Sequence, residues 1–174
     1  MGFLLAVDPF NQPDVESAKI ATRESLGEPP EPTTEVPSPA ETRARLRALV
    51  RRDGYVGIQA YVDPSDAHVA ELLGRLRQSL VNELGVPVAL GYGPRYLHST
   101  GQFHKGGPSC GTFLQIIETG AREVAIPGEE TGFGALFGAQ ARGDASVLRA
   151  RGRAVLSVET SDPATLLREL IAAN

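Results

Sequence analysis

The 174-residue chain contains a single cysteine, no tryptophan and no excess of basic residues. The one thiol, Cys110, excludes an intrachain disulfide and a zinc cage built from several cysteines. The three histidines, at positions 68, 98 and 104, lack the short spacings of common metal sites. Because 17 Lys and Arg residues stand against 21 Asp and Glu residues, for a net charge of -4, the composition argues against proteins that bind nucleic acids or membrane surfaces.

Long hydrophobic runs are also missing, and a run such as residues 3–7 is too short to span a bilayer. The N-terminus has no basic region followed by a long apolar stretch, so we expect no signal peptide and a soluble, cytoplasmic protein. No GxGxxG follows a predicted strand and no GxxxxGK[ST] occurs, which leaves dinucleotide and P-loop nucleotide binding unsupported.

The composition is that of an ordinary globular protein, with 41% hydrophobic and 22% charged residues. A chain of this length corresponds to one domain or to a large fragment of a bigger enzyme. It can bury about 70% of its unfolded surface without disulfides or metal. Residues 27–39 are rich in proline and predict an exposed loop. Because the segment before it is too small to fold alone, we expect one domain over residues 1–174.

Strand and helix patterns alternate along the chain, which predicts an α/β domain with a mainly parallel sheet between two helical layers. A continuous apolar run closed by Asp8-Pro9 predicts a buried first strand. The predicted strands cover residues 3–7, 55–62, 86–90, 113–118, 124–126 and 154–159. The predicted helices cover residues 14–26, 40–52, 65–84, 133–141, 145–151 and 163–172, with Ser65 as a candidate cap. Ligands of such folds bind at the carboxyl ends of the strands.

Residues 91–111, which follow a predicted strand, form the most unusual stretch of the sequence. They include several glycines and two of the three histidines, His98 and His104. Imidazoles titrate near neutrality and can move protons, and glycines let the backbone approach a ligand. The alternative is a mobile surface turn whose charges are solvated, and the pattern alone leaves both interpretations open.

Residues 8–19 are the second candidate segment. Asn11 and Gln12 can donate to and accept from sugar hydroxyls, and Lys19 can extend a cation from the following helix. The alternative is structural, with Asn11 and Asp14 closing a turn that caps the helix and with Lys19 in solvent.

Both segments resemble phosphoglucose isomerase. The first resembles the C-terminal signature Phe-Asp-Gln-x-Gly-Val-Glu-x-x-Lys of that family through Phe10-Asn-Gln12, Val15-Glu16 and Lys19. The second is similar to the isomerase part of bifunctional transaldolase/phosphoglucose isomerases, through Leu97-His-Ser-Thr-Gly-Gln-Phe-His-Lys-Gly-Gly-Pro108 and Gly111-Thr-Phe-Leu-Gln115. The resemblance covers nearly the whole chain apart from the proline-rich loop. It implies a sugar isomerase (SIS) domain of flavodoxin-like type.

The resemblance implies an enzyme that interconverts glucose 6-phosphate and fructose 6-phosphate by ring opening and proton transfer through an enediol, without a metal or another cofactor. The ring-opening lysine of the family falls on Lys19, and its nearby glutamine on Gln12. Its ring-opening histidine, contributed by the partner subunit, falls on or near His104, with His98 as the alternative. We also expect Thr100, Gly101 and Gln102 to contact the substrate. Opening a hemiacetal needs one proton removed from O1 and one supplied to the ring oxygen, which suits a His and Lys pair.

The resemblance also implies partners. In the family, the phosphate-binding loop and the base glutamate belong to a first SIS domain, and neither has a counterpart here; Glu16 lies inside the lysine motif and is interpreted as structural. We therefore expect that the isolated chain has an incomplete site and that an N-terminal SIS domain completes it. We also expect a homodimer and, in the fused enzymes, a transaldolase domain. The competing hypothesis is a non-catalytic SIS domain that binds a sugar phosphate as a sensor or scaffold.

Overall fold

The computed structural model describes residues 2–6, 8, 11, 13–27, 37–120, 123–129 and 131–173, with the side chains of residues 13–15, 18 and 27 left out. The helices are α1 (Pro13–Gly27), α2 (Pro39–Leu49), α3 (Ala67–Leu84), α4 (Gly101–Gly106), α5 (Phe133–Ala150) and α6 (Pro163–Ala172). The strands are β1 (Tyr55–Tyr61), β2 (Val88–Tyr92), β3 (Gly111–Glu118) and β4 (Ala154–Thr160). Two short 3-10 helices cover Phe3–Leu5 and Arg95–His98.

The four strands form one parallel sheet in the order β2-β1-β3-β4. In its register Ile58 lies opposite Leu90 on one side and opposite Leu114 on the other. Helices pack on both faces, as the crossover connections of a parallel sheet require. The predicted α/β/α sandwich with a parallel sheet is therefore confirmed.

One face of the sheet carries the apolar core. Alternate residues of β1 and β3, such as Val56, Ile58, Leu114 and Ile116, are at most 1% exposed. They pack with buried leucines of α3 and α6, including Leu76, and the periodicity of α3 that predicted this contact is confirmed. By the area rule, each such side chain stabilises the fold by about 1.5–3 kcal/mol.

The other face of the sheet is polar at its centre. It presents Gln59 of β1, Gln115 of β3 and Ser157 of β4, under α4 and α5. Ser157 Oγ donates to Gln115 Oε1 over 3.0 Å, and Gln115 Nε2 donates to the Ala141 carbonyl of α5 over 3.0 Å. These hydrogen bonds join β3 and β4 to α5, whereas the opposite face of the sheet is packed by apolar contacts.

Helix α1 lies on the outer side of α5, away from the sheet. The Ala141 carbonyl faces the sheet, while Gly143, two residues later, faces α1. A Cβ atom at Gly143 would be 2.8 Å from the Thr22 backbone nitrogen and 3.1 Å from the Ala21 carbonyl carbon. The missing side chain at Gly143 therefore permits the close approach of the two helices.

The predicted first strand is wrong for its described residues. Phe3–Leu5 form a 3-10 helix, and their side chains are 97%, 79% and 68% exposed. An extended run needs a neighbouring strand to satisfy its backbone, whereas this turn satisfies part of it internally through the Leu5 amide and the Gly2 carbonyl, 3.2 Å apart. The predicted strand also included Val7, which lies outside the described residues.

Three further expectations need correction. The predicted strand at residues 124–126 is only an isolated bridge between Ala125 and Gly132. The two helices predicted on either side of Gly143-Asp144 are one helix, α5, because both residues are buried by tertiary contacts that override their tendency to break a helix. The cap of α3 is Asp66, whose carboxylate accepts from the amides of His68 and Val69, rather than Ser65.

The remaining predicted elements lie within a few residues of the observed ones, and α6 has the predicted bounds. Most of the proline-rich loop, residues 28–36, lies outside the described residues. Helix α2 begins after it with Ser38 as its cap. Among the described residues, no helix is both long enough and apolar enough to cross a membrane.

We expect Gly143→Ala to destabilise the protein by about 1–3 kcal/mol, because the added methyl group would overlap the backbone of α1. Limited proteolysis should then cut within residues 13–27 faster, and urea unfolding should report the loss. Gly138→Ala is the matched control on α5, since its nearest neighbour is the flexible end of Arg142, 3.2 Å away. It should stabilise the helix by up to about 1 kcal/mol. Equal effects of the two substitutions would contradict the close packing of α1 on α5.

Candidate functional site

The unusual stretch at residues 91–111 is folded. After β2 ends at Tyr92, the chain forms the 3-10 helix Arg95–His98 and then α4, and it enters β3 at Gly111. It crosses the polar face of the sheet from the carboxyl end of β2 to the amino end of β3. The alternative of a mobile, solvated turn is wrong, since Tyr96, His104 and Lys105 are all buried.

A buried carboxylate holds both parts of this stretch. Asp144 of α5 accepts the Tyr96 hydroxyl at Oδ2 and pairs with the Lys105 ammonium at Oδ1. The side chains of Lys105 and Asp144 are both 0% exposed. Burial, and secondly the charge of Asp144, raise the pKa of Tyr96 well above its usual value, so this phenol remains a donor. Removing one partner of such a pair typically costs about 3–5 kcal/mol, because the other charge stays buried alone.

Residues 98–100, which we call the polar turn, lie between these two anchors. The Tyr96 carbonyl accepts the amides of Ser99 and Thr100, over 3.0 and 2.9 Å, and the Ser99 hydroxyl over 3.1 Å. The Thr100 carbonyl accepts the His104 amide over 2.9 Å. The side chains of His98, Ser99 and Thr100 are exposed, so a tightly bonded backbone presents an imidazole and two hydroxyl groups to solvent.

Arg153 fixes the other end of α4. Its guanidinium donates to the carbonyls of His104, Lys105 and Gly107, over 3.1, 2.8 and 2.7 Å. The last carbonyls of a helix have no partner within the helix, so a cation here satisfies them and interacts favourably with the helix dipole.

His104, the predicted ring-opening histidine, is covered. Its Nδ1 atom is 2.8 Å from the Tyr55 hydroxyl, its ring packs 5.1 Å from that of Phe113, and the residue is 6% exposed. Burial, and secondly the positive charge of Lys105, lower the pKa of His104 to about 4. Burial raises the pKa of Tyr55 to about 12. At neutral pH both groups are therefore uncharged, and His104 is a weak base in this environment.

Lys19, the predicted ring-opening lysine, lies on α1 with its side chain 53% exposed, and it pairs with Glu16 over 2.5 Å. The hydrogen bond and charge of Lys19 lower the pKa of Glu16. Helix α1 packs against both α5 and α4, so the helix of Lys19 adjoins the helix of His104. No hydrogen bond joins the two side chains: the polar partner described for Lys19 is Glu16, and that of the His104 ring is Tyr55.

The other predicted site residues are distributed differently. Gln12 lies outside the described residues. Thr100 is exposed in the polar turn, while Gly101 is buried and Gln102 half-buried at the start of α4. No cluster of three His, Cys, Asp or Glu side chains able to hold a metal occurs among the residues that the structure describes.

Sequence reasoning missed the residues that fix this site: Asp144, Lys105, Tyr96 and Arg153. Asp144 lies between the helices predicted over residues 133–141 and 145–151, yet in the structure it lies inside one 18-residue helix. A weak signal was present, since Gln59 and Gln115 interrupt otherwise apolar strands and so indicate a polar layer on one face. The contact between Tyr96 and Asp144 could not be predicted from sequence spacing, because the two residues are 48 positions apart.

The environment of His104 predicts a pH-dependent stability. Its pKa is 6.5 for the free group and about 4 in the fold, so the unfolded chain takes up the proton first as the pH falls. Stability present above pH 6.5 is therefore lost progressively toward pH 4, by roughly 2–3 kcal/mol. Urea unfolding at about pH 7.5 and about pH 4.5 would measure this loss.

His104→Asn keeps an acceptor for Tyr55 without a titrating ring, and it should remove this part of the pH dependence. His98→Gln, which replaces an exposed histidine of the same stretch, is the matched control and should retain it. An unaltered pH dependence in His104→Asn would contradict the burial of a neutral imidazole.

Comparison with known proteins supports the fold and nothing finer. No protein-family model matches the chain, and no curated protein matches it. Among solved structures, the chain is similar to the crystal structure of hypothetical protein TT0462 from Thermus thermophilus, with a TM-score of 0.58 and 16% sequence identity. The match covers 92% of this chain but only 43% of that one, so this chain spans less than half the length of its structural neighbour.

Proposed function

We propose that the chain is the C-terminal SIS part of a cytoplasmic phosphoglucose isomerase, which interconverts glucose 6-phosphate and fructose 6-phosphate. The observation that carries the proposal is the packing of α1 against α4. These helices contain Lys19 and His104, and they belong to the two segments that resemble the family. Two stretches far apart in the sequence are thus neighbours on one side of the sheet.

The chemistry of ring opening suits the residues on these helices. In this proposal an imidazole takes the proton of the O1 hydroxyl, the C1 to ring-oxygen bond breaks, and the Lys19 ammonium protonates the departing ring oxygen. Lys19 is exposed and so accessible to a sugar, and its ammonium group pairs with Glu16 on the same helix. The two candidate imidazoles differ in access: His104 is covered, whereas His98 is exposed in the polar turn.

The proposal includes partners. The base glutamate of the enediol step and the phosphate-binding loop would come from an N-terminal SIS domain, and a second copy of the protein would complete a homodimer. In a fused enzyme a transaldolase domain would precede the isomerase part.

We expect the isolated chain to isomerise fructose 6-phosphate very slowly, because the enediol base is missing. Addition of the N-terminal SIS domain of a phosphoglucose isomerase should restore turnover. A coupled assay of glucose 6-phosphate formation measures both rates, with the N-terminal domain alone as the control. Turnover by the isolated chain at the rate of a complete enzyme would refute the claim that its site is incomplete.

In the reconstituted enzyme, Lys19→Ala should lower the rate with ring-closed sugar on the order of 100-fold, as expected for loss of a general acid. The loss with open-chain sugar should be smaller, since that substrate needs no ring opening. Arg23→Ala removes another exposed cation from α1, about one turn away, and serves as the matched control. The role of Lys19 is disproved if Lys19→Ala and Arg23→Ala have equal rates with ring-closed sugar.

One observation favours a second candidate, a non-catalytic SIS domain that binds a sugar phosphate as a sensor or scaffold. His104 is buried and its pKa is lowered to about 4, so it is poorly suited to exchange protons near neutral pH. A sensor would bind fructose 6-phosphate in the reconstituted assembly without converting it. The same coupled assay therefore separates the two functions.

A further inference from the structure

We infer that Asp144 is a positioning residue, which sets the place of the polar turn, residues 98–100, so that the turn contacts a sugar phosphate. The identity of the ligand rests on the proposed function, whereas the positioning itself rests on the contacts of Asp144. Asp144 does not contact solvent, so it acts through the residues that it binds.

The geometry of the carboxylate carries the inference. Asp144 Oδ2 binds the hydroxyl of Tyr96, two residues before His98, and Oδ1 binds the ammonium of Lys105, five residues after Thr100. A single side chain thus ties the chain on both sides of the polar turn. It projects from α5, an 18-residue helix that packs on β3 and β4.

The local backbone transmits this constraint. The Tyr96 carbonyl binds the amides of Ser99 and Thr100, and the Thr100 carbonyl binds the amide of His104. Asp144 holds the side chains of Tyr96 and Lys105, and these backbone hydrogen bonds tie Ser99 and Thr100 to Tyr96 on one side and to His104, the residue before Lys105, on the other. The side chains of residues 98–100 are exposed, and the Ser99 hydroxyl among them donates to the Tyr96 carbonyl.

The buried pair of Lys105 and Asp144 is better explained by the positioning of the polar turn than by a gain in the stability of the fold. Well-packed apolar side chains of similar volume often stabilise a protein as well as a buried ion pair does. The opposite face of this sheet is held mainly by apolar contacts. A charged pair placed under an exposed imidazole and two exposed hydroxyl groups gives those groups a defined geometry, as a binding site for a polyhydroxylated ligand requires.

Two variants separate positioning from support of the fold. Asp144→Asn removes the charge that binds Lys105. The combination Tyr96→Phe, Lys105→Met and Asp144→Leu, the apolar variant, replaces all three polar groups by side chains of similar size. Ser157→Ala is the matched control, because it removes a half-buried hydrogen bond on the same face that does not reach the polar turn.

The test combines amide hydrogen exchange with NMR titration of the full chain by fructose 6-phosphate, with inorganic phosphate as the comparison ligand. In wild type, fructose 6-phosphate should shift the amide signals of Ser99 and Thr100 more than phosphate does. In Asp144→Asn and in the apolar variant, these amides should exchange at least about 10-fold faster relative to those of β1, and the shifts should weaken about 10-fold. Ser157→Ala should retain wild-type exchange and binding.

The inference is overturned if exchange in the variants rises equally in β1 and in the polar turn, since Asp144 would then support only the whole fold. It is also overturned if the apolar variant binds fructose 6-phosphate as wild type does. Should Asp144→Asn not fold, the apolar variant, which leaves no buried charge unpaired, decides the matter. If exchange changes as expected but fructose 6-phosphate shifts no amide of the wild-type turn, the assignment of the ligand, which rests on the proposed function, fails and the positioning by Asp144 stands.

Discussion

The carboxylate of Asp144 is the contact on which the polar side of the molecule depends. It brings together α5, the 3-10 helix Arg95–His98 and α4, three elements from two separate parts of the chain. Since both Lys105 and Asp144 are removed from water, neither charge can be lost alone without leaving the other unpaired. Asp144 therefore holds the stretch between β2 and β3 at Tyr96 and Lys105, while Arg153 and Tyr55 hold the end of α4.

The two faces of the sheet are held by different kinds of contact. On one face, β1, β3 and β4 pack apolar side chains against α3 and α6, which supplies non-directional stability. On the other face, Gln59 and Gln115 lie at the centre, and Gln115 donates to the Ala141 carbonyl of α5 beside a small apolar cluster that includes Tyr61 and Ile117. Hydrogen bonds and ion pairs demand a particular geometry, so the polar face specifies how α4 and α5 are placed. The candidate site lies on this specified face.

The secondary-structure predictions were more accurate for elements of the apolar face than for those of the polar face. Helices α3 and α6 and strands β1, β3 and β4 were predicted because apolar periodicity records local burial on the apolar face. The strand predicted at residues 3–7 failed, since an apolar run does not reveal whether a neighbouring strand is available. Helix α5 was divided in two because Gly143 and Asp144 have poor helix propensity, and only their distant contacts explain their place inside a helix. The site residues Lys105 and Asp144 were missed for the same reason.

The choice between His98 and His104 depends on this arrangement as well. His98 is exposed two residues after Tyr96, and His104 is covered immediately before Lys105. Asp144 binds Tyr96 with one oxygen atom and Lys105 with the other, so it holds a residue close in sequence to each histidine. An exposed imidazole can reach a sugar directly, whereas a covered imidazole, neutral beside Tyr55, serves the packing of α4 on the sheet. If the chain opens a sugar ring with a histidine of its own, the exposed His98 is the better candidate, because a sugar can reach it. The resemblance, which pointed to His104, has in that case identified α4, the helix that follows the reacting histidine.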